Sequence, residues 1–228
     1  DYFAVFANRM QELLTKNNPE APFVGIMTNG TSGDINNINV QGAPPKDAPY
    51  EKMKFVANDI AQKVYSALQN VKYQPWLKLQ AKQAEQTLIV RKPTDKQLAL
   101  AKQIFSMPEG SKPINHPLER TYAERITQLQ NEWPNEISVV LQTFRIGDLQ
   151  IAAIPFETFA ESGLALKSQY PKNKTFTISF ANGSYGYLPT TEQHKLGGYE
   201  TWLGTNRVEV NASRKIFSTI NNLFSQMN

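Results

Sequence analysis

The stretch SVVLQTFRIGDLQIAAIPFETF, residues 138–159, decides most of what the sequence predicts about the fold. Two apolar runs, residues 138–144 and 149–154, have the length and the β-branched content of strands. Residues 145–148 between them are few and include a glycine, which predicts a hairpin. Glu157 follows the second run almost at once, so a carboxylate is expected just past the end of a strand.

Length and composition predict a globular protein. The chain has 228 residues, 40% of them apolar, which is enough for a full core. The net charge of +4 is spread along predicted helices and gives no indication of a nucleic-acid partner. The sequence has no cysteine, which excludes disulfides, thiolate metal ligands and cysteine nucleophiles. It also has no apolar run of about 18 residues, so no transmembrane segment is predicted.

The remaining elements follow from hydrophobic periodicity. We expect helices at residues 1–16, 51–69, 94–104, 119–133, 157–169 and 211–224. Further strands are expected at residues 22–28, 78–91 and 175–180, where 78–91 could also be a hairpin with one wet face. Strands stand singly between helices in some places and in pairs in others. The fold class predicted is therefore α/β, with a mixed β-sheet and flanking helices.

Three polar side chains are candidates for chemistry. Glu157 and Tyr187 each follow an apolar strand, and Tyr199 comes twelve positions after Tyr187 in ANGSYGYLPTTEQHKLGGYE, residues 181–200. Strand ends in an open α/β sheet bring side chains together over one crevice. A structural interpretation stays open beside this one: the glutamate could favour the first turn of a helix, and the tyrosines could be rim aromatics.

Other sites are weakly indicated. The loop NGTSGD, residues 29–34, is rich in small residues that let the backbone approach a ligand closely. His116 is expected in a loop and His194 in a turn. Neither has a second histidine or a cysteine at metal-ligand spacing, and no Gly-X-Ser-X-Gly motif is present, so neither a complete zinc site nor a serine hydrolase can be read from the chain.

Three blocks carry a resemblance to a known family. FVGIMTNGTSGDINN (23–37), GDLQIAAIPFETFAESG (147–163) and FANGSYGYLPTTEQHKLGGYE (180–200) resemble the second half of the catalytic domain of the neutral/alkaline, non-lysosomal ceramidases. Their order and spacing match over nearly the whole chain. The resemblance implies that residues 1–228 are the C-terminal part of a single zinc hydrolase catalytic domain. The N-terminal half is then expected upstream, and the family's β-sandwich domain has no counterpart in the sequence.

The resemblance also implies a site. In the family, zinc is held by two histidines from the first half of the domain and by a glutamate and a tyrosine from the second half. Glu157 and Tyr187 match those last two positions, and Tyr199 resembles the tyrosine that faces the substrate carbonyl. Zinc lowers the pKa of water to about 7 and so supplies a nucleophile, while a tyrosine hydroxyl stabilises the developing oxyanion.

Two departures from the family bear on mechanism. The loop with Gly33, Asp34 and Asn36 is expected to bind substrate, and Asn36 stands where the best-known ceramidases have a serine. Phe156 stands where the family has a glycine before its glutamate. Attack by zinc-activated water is therefore expected in place of a serine nucleophile at Asn36.

The function expected from the resemblance is zinc-dependent amidohydrolysis of an N-acyl bond, with ceramide-like lipids of sphingolipid metabolism as substrates. Hydrolysis of a non-lipid amide or ester, or a catalytically degenerate binding protein on the same scaffold, remain alternatives. The expected partner is the upstream half of the same domain. The resemblance further implies a secreted protein, extracellular or periplasmic, for which peripheral membrane contact is compatible with a lipid substrate.

Overall fold

The computed structural model describes residues 1–39, 41–42, 47–172 and 174–227. The chain forms two compact units. The first comprises Asp1–Thr28 with Asn36–Leu77, and the second comprises Asn29–Ile35 with Lys78–Asn228. Among the described residues, no helix combines the length and apolar character needed to cross a bilayer.

The first unit is built on two helices, α1 (Tyr2–Leu14) and α2 (Glu51–Leu68), close to the predicted bounds. Asp1 caps α1, because its carboxylate accepts from the amide of Phe3 at 3.0 Å. The buried core between the helices consists of Phe6, Met10, Ala57 and Ala61, with Phe23 and Met27 packed against it. The apolar stripes seen in the sequence therefore face each other, as amphipathic helices require.

The prediction of a buried strand at residues 22–28 is wrong, because the segment is neither a paired strand nor buried on both faces. Side chains alternate between half-buried and exposed along this segment, as they do in a strand, but it pairs with no strand in the described part of the chain. Val24 is 80% exposed and Ile26 78% exposed. The apolar run is therefore covered on one face only, by the α1–α2 core that Phe23 and Met27 contact.

The described residues of the second unit form six strands: β1 (Leu79–Ile89), β2 (Glu136–Ile146), β3 (Leu149–Ile154), β4 (Glu157–Thr158), β5 (Lys174–Ser179) and β6 (Tyr187–Leu188). Four of them form one sheet in the order β1-β2-β3-β5. The β1–β2 and β2–β3 pairs are antiparallel and β3–β5 is parallel, so the predicted mixed sheet is confirmed. The β2–β3 hairpin is also confirmed, and Gly147 adopts a φ of +59° in its turn.

In the part of this unit that the structure describes there are five α-helices: α3 (Asp95–Ser106), α4 (Glu119–Asn131), α5 (Ala160–Gln169), α6 (Thr191–Leu196) and α7 (Ala212–Ser225). A 3-10 helix covers Tyr199–Thr201. Helix α3 begins one residue after the predicted start, where Thr94 and Gln97 form a capping box. Helix α7 packs on β1 and β2, and its Ile216 and Phe224 are fully buried in the main core.

The predicted helix at residues 157–169 begins three residues late, at Ala160. Glu157 and Thr158 instead form β4, which pairs in parallel with β6 in a separate two-stranded sheet. The amide of Glu157 donates to the carbonyl of Gly186 at 3.0 Å, which satisfies it outside any helix. Glu157 is therefore a strand residue rather than a first-turn helix residue. His194, expected in a turn, lies in α6.

Candidate active site

The short β4–β6 ladder brings Glu157 and Tyr187 together. The two residues are direct partners in the parallel register, thirty positions apart in sequence. The Tyr187 hydroxyl lies close enough to the Glu157 carboxylate to favour its charged form, which acts to lower the pKa of Glu157. Because each strand has only two residues, the pairing depends on neighbouring backbone contacts, among them the amide of Tyr187, which donates to the carbonyl of Thr205 at 3.2 Å.

Tyr199 joins this pair through its hydroxyl. The Oη atoms of Tyr187 and Tyr199 lie 3.1 Å apart, and the two rings meet edge to face at a centroid distance of 5.6 Å. Gly197 and Gly198, with φ of +84° and +97°, turn the chain into the 3-10 helix that starts at Tyr199. Tyr199 is 47% exposed, so a bound molecule can reach its side chain.

The local electrostatics disfavour ionisation of both Glu157 and Tyr187. Burial raises the pKa of Glu157, the hydrogen bond with Tyr187 partly offsets this, and the charge of Glu200 raises the pKa further. Burial also raises the pKa of Tyr187, with the hydrogen bond to Tyr199 and the charge of Glu157 adding to it. Within the described residues no lysine, arginine or histidine forms an ion pair with Glu157. A cation bound beside these oxygens would oppose both shifts.

Hydrogen bonds from Arg91 and Asn206 fix the backbone around Tyr187 and Thr201. Asn206 is 1% exposed, and its Nδ2 donates to the main-chain carbonyl of Tyr187 at 3.0 Å. The Nη1 of Arg91 donates both to Asn206 Oδ1 at 2.7 Å and to the carbonyl of Thr201 at 2.8 Å. These bonds connect β6 to the 3-10 helix of Tyr199. Sequence reasoning missed both residues, since no local pattern relates positions 115 apart.

Gly33 packs directly against β4. Its amide donates to the carbonyl of Thr158 at 2.9 Å, and a Cβ added to it would lie 2.7 Å from the carbonyl oxygen of Glu157. Only glycine fits this approach without a shift of the backbone. The close approach observed for the 29–34 loop is to the strand that carries Glu157, and the predicted approach to a ligand stays a prediction.

Asp34 and Asn36 have different surroundings. Asp34 Oδ1 accepts from the amide of Ala160 at 2.7 Å, so this carboxylate caps α5. Asn36 is exposed and belongs to the first unit, whereas Gly33 and Asp34 belong to the second. Substrate contacts by these three residues stay a prediction.

The two histidines lie in separate places. His194 is half-buried in α6, and burial together with the charge of Arg91 lowers its pKa. His116 packs edge-on against Tyr122 and Trp202. Among the described residues, no three His, Cys, Asp or Glu side chains are grouped so that they could hold a metal ion. Glu157 and Tyr187 are suitable oxygen donors and would form part of a metal site rather than all of one.

Solved ceramidases share the architecture of this chain. The crystal structure of neutral ceramidase from Pseudomonas aeruginosa superposes with a TM-score of 0.66 at 15% sequence identity, covering 98% of this chain. The chain has a neutral ceramidase-like fold. A second structure, a ceramidase complexed with C2, superposes with a TM-score of 0.60 at 14% identity over 95% of the chain.

The similarity is one of fold, because the sequences have diverged far. No family model matches the chain, and no curated protein matches it. The chain spans about two fifths of the length of the two ceramidases, 40% and 41%. The resemblance noted in the three sequence blocks is thereby confirmed at the level of the fold.

Proposed function

We propose that this chain contributes one side of the active site of a zinc-dependent amidohydrolase that cleaves an N-acyl bond. The observation that carries the proposal is the contact of the Tyr187 and Tyr199 hydroxyls at 3.1 Å, beside the carboxylate paired with Tyr187 in the β4–β6 ladder. Two phenols and one carboxylate converge there on a partly exposed surface. The neutral ceramidase-like fold supports the assignment of this surface as the reaction centre.

Glu157 and Tyr187 are the residues that would hold the metal. Both present oxygen atoms, and the desolvation that raises their pKa values would be relieved by a neighbouring cation. When bound, zinc supplies a Lewis acid that activates water at neutral pH. The remaining ligands would come from residues outside the ones described, consistent with the expected histidine pair of the upstream half.

Tyr199 is proposed to polarise the substrate. Its hydroxyl is held by Tyr187, and the edge-to-face contact of the two rings restricts its side chain. From this position its O–H can turn from Tyr187 to donate to a substrate carbonyl oxygen as negative charge develops on it. Asn36 offers no nucleophile, so this proposal requires no acyl-enzyme in the 29–37 loop.

The exposed segment 22–28 supports the proposal that an upstream half of the same catalytic domain is the partner. In the described part of the chain, no backbone hydrogen bond satisfies residues 22–28, and Val24 and Ile26 point to solvent. Unpaired backbone groups beside apolar side chains are what an added β-strand covers. Residues 1–228 would then be the C-terminal part of one catalytic domain.

Substrate and location are proposed from the same likeness. A ceramide-like N-acyl lipid is the first candidate, reached by peripheral contact with a membrane in an extracellular or periplasmic setting. A non-lipid amide or ester is the alternative, because pocket walls diverge more readily than metal ligands do.

The test is release of free carboxylic acid by the whole protein from short- and long-chain ceramides and from non-lipid N-acyl compounds, with and without chelator. We expect chelator-sensitive cleavage, and a loss of about 10²- to 10³-fold in kcat for Tyr199→Phe. Tyr185→Phe is the matched control, because among the described residues the Tyr185 hydroxyl has no hydrogen-bond partner. Cleavage that resists chelator would refute the zinc mechanism. Cleavage of non-lipid amides alone would keep the mechanism and remove ceramide as substrate.

A further inference from the structure

A cavity of about 190 Å³ lies between α3 and α4, within the second unit. Its walls combine aliphatic side chains with three aromatic rings, chiefly Leu100, Ile104, Ile126, His116, Tyr122 and Trp202. Apolar cavities of about 150 Å³ bind benzene. This cavity is therefore large enough for a hydrocarbon group of roughly six to eight carbons.

The aromatic wall is fixed by ring contacts. The rings of Tyr122 and Trp202 meet edge to face at a centroid distance of 4.9 Å, and His116 lies 5.5 Å from Trp202. Arg125 lies over the Tyr122 ring, with its guanidinium carbon 5.2 Å from the ring centre. The rings restrain one another, so the cavity is a preformed feature of the unit.

His116 supplies one hydrogen-bond donor to this apolar wall. Its Nδ1 accepts from the amide of Leu118 at 3.1 Å, so the neutral imidazole carries its proton on Nε2. No acceptor for Nε2 is found among the described residues. This nitrogen is not among the buried atoms that lack a partner, so a ligand with a hydrogen-bond acceptor can take it in place of water.

Glu119 is ionised, and its carboxylate is engaged by backbone amides. Its carboxylate accepts from the amides of Ile114 at 2.9 Å and Asn115 at 2.8 Å, and these bonds lower its pKa. The same bonds hold the loop that carries His116. The rest of the cavity lining is mainly aliphatic and aromatic, and a charged ligand would lose its hydration there at a large cost, so the site favours a neutral molecule.

We propose that the α3–α4 cavity binds a neutral molecule with an alkyl or aryl body of roughly six to eight carbons and one hydrogen-bond acceptor. The amide of Trp202, in the cavity wall, donates to the carbonyl of Tyr199 at 3.2 Å, so the site adjoins the candidate active site. The proposal does not depend on the hydrolase function, since it concerns binding alone.

The experiment compares two probes of one shape, benzamide and toluene, by saturation-transfer NMR and calorimetric titration of the metal-free protein. We expect benzamide to bind about threefold to tenfold more tightly than toluene, the usual gain from one hydrogen bond. His116→Phe keeps the ring and removes the donor, so it should bring the two affinities together. Leu100→Trp fills the cavity from its rim and should weaken both at least tenfold.

Leu164→Trp is the control, because Leu164 is an exposed residue of α5 that does not line the cavity. Absence of benzamide binding to the folded wild-type protein would overturn the proposal, as would equal binding by the Leu100→Trp variant. If that variant does not fold by circular dichroism, the His116→Phe comparison decides the outcome, and an unchanged preference for benzamide contradicts the proposal. Amide hydrolysis is assayed separately, so each idea can fail without the other.

Discussion

Replacing Asn206 by alanine should destabilise the second unit more than any exposed asparagine does. The change removes a neutral bond to the Tyr187 carbonyl and a charge-assisted bond from Arg91. Net contributions of such bonds are about 0.5–1.5 and 1.5–3 kcal/mol respectively. Because Asn206 is 1% exposed, water cannot readily replace either partner. We therefore expect a loss of about 2–4 kcal/mol in the free energy of unfolding.

Urea denaturation followed by tryptophan fluorescence measures this loss. A Trp76→Phe background leaves Trp133 and Trp202, both in the second unit, as the reporters. Asn211→Ala is the matched control, because Asn211 is exposed and its side chain does not cap α7. A change for Asn206→Ala within about 0.5 kcal/mol of the control would refute the idea that Asn206 and Arg91 hold the tyrosine pair in place.

Three further tests concern single features of the site. A double-mutant cycle of Tyr187→Phe and Tyr199→Phe should give a coupling free energy of about 0.5–1 kcal/mol in unfolding, because the two hydroxyls are in contact. Additive changes in the free energy of unfolding would contradict that contact. Burial lowers the pKa of His194 below its ordinary 6.5, so the stability that this residue contributes is complete above that pH and declines as the pH falls toward the folded-state pKa. The free energies of unfolding of wild type and His194→Gln should therefore change differently with pH over that range. Parallel curves of unfolding free energy against pH would contradict this prediction. Gly186→Ala should lower the free energy of unfolding by about 1–3 kcal/mol more than Gly197→Ala does. Both glycines have positive φ, but only at Gly186 would an added Cβ lie 2.5 Å from the Thr205 carbonyl oxygen. Equal shifts in melting temperature for the two variants would refute this steric argument.

Long periodic patterns were the part of the fold that the sequence could predict. The apolar stripe of α2 repeats one local rule along the whole helix, and both α2 and α3 lie where the periodicity predicts them. The β2–β3 hairpin follows from two apolar runs and a short glycine turn. In each of these elements local preference and tertiary packing agree.

The β4–β6 ladder could not be predicted in this way. Two residues are too few to show a period of two, so Glu157 was assigned to the helix that follows it. Asn206 and Arg91 likewise carry no local signal, because their roles arise from contacts between distant parts of the chain. The positions of Glu157, Tyr187 and Tyr199 beside strand ends indicated them as candidates, and the family resemblance suggested their roles. The structure adds the backbone pairing and the hydroxyl contact that relate them.

The segment at residues 22–28 shows why burial cannot be predicted from apolar content alone. Its apolar side chains predict a buried strand, but apolar content does not reveal which residues will cover each face. The α1–α2 core covers the face that includes Phe23 and Met27, and Val24 and Ile26 stay exposed on the other. We propose that the upstream half covers that second face.

Glu157 and Tyr187 are proposed to hold one metal ion together, with Tyr199 beside it. The most direct measurement is a crystal structure of the whole protein grown with zinc, in which anomalous scattering at the zinc edge locates the metal. We predict a single zinc ion ligated by the Glu157 carboxylate and the Tyr187 oxygen, with the Tyr199 hydroxyl facing the open side. A zinc ion held elsewhere, or either of those two side chains turned away from it, would contradict the account.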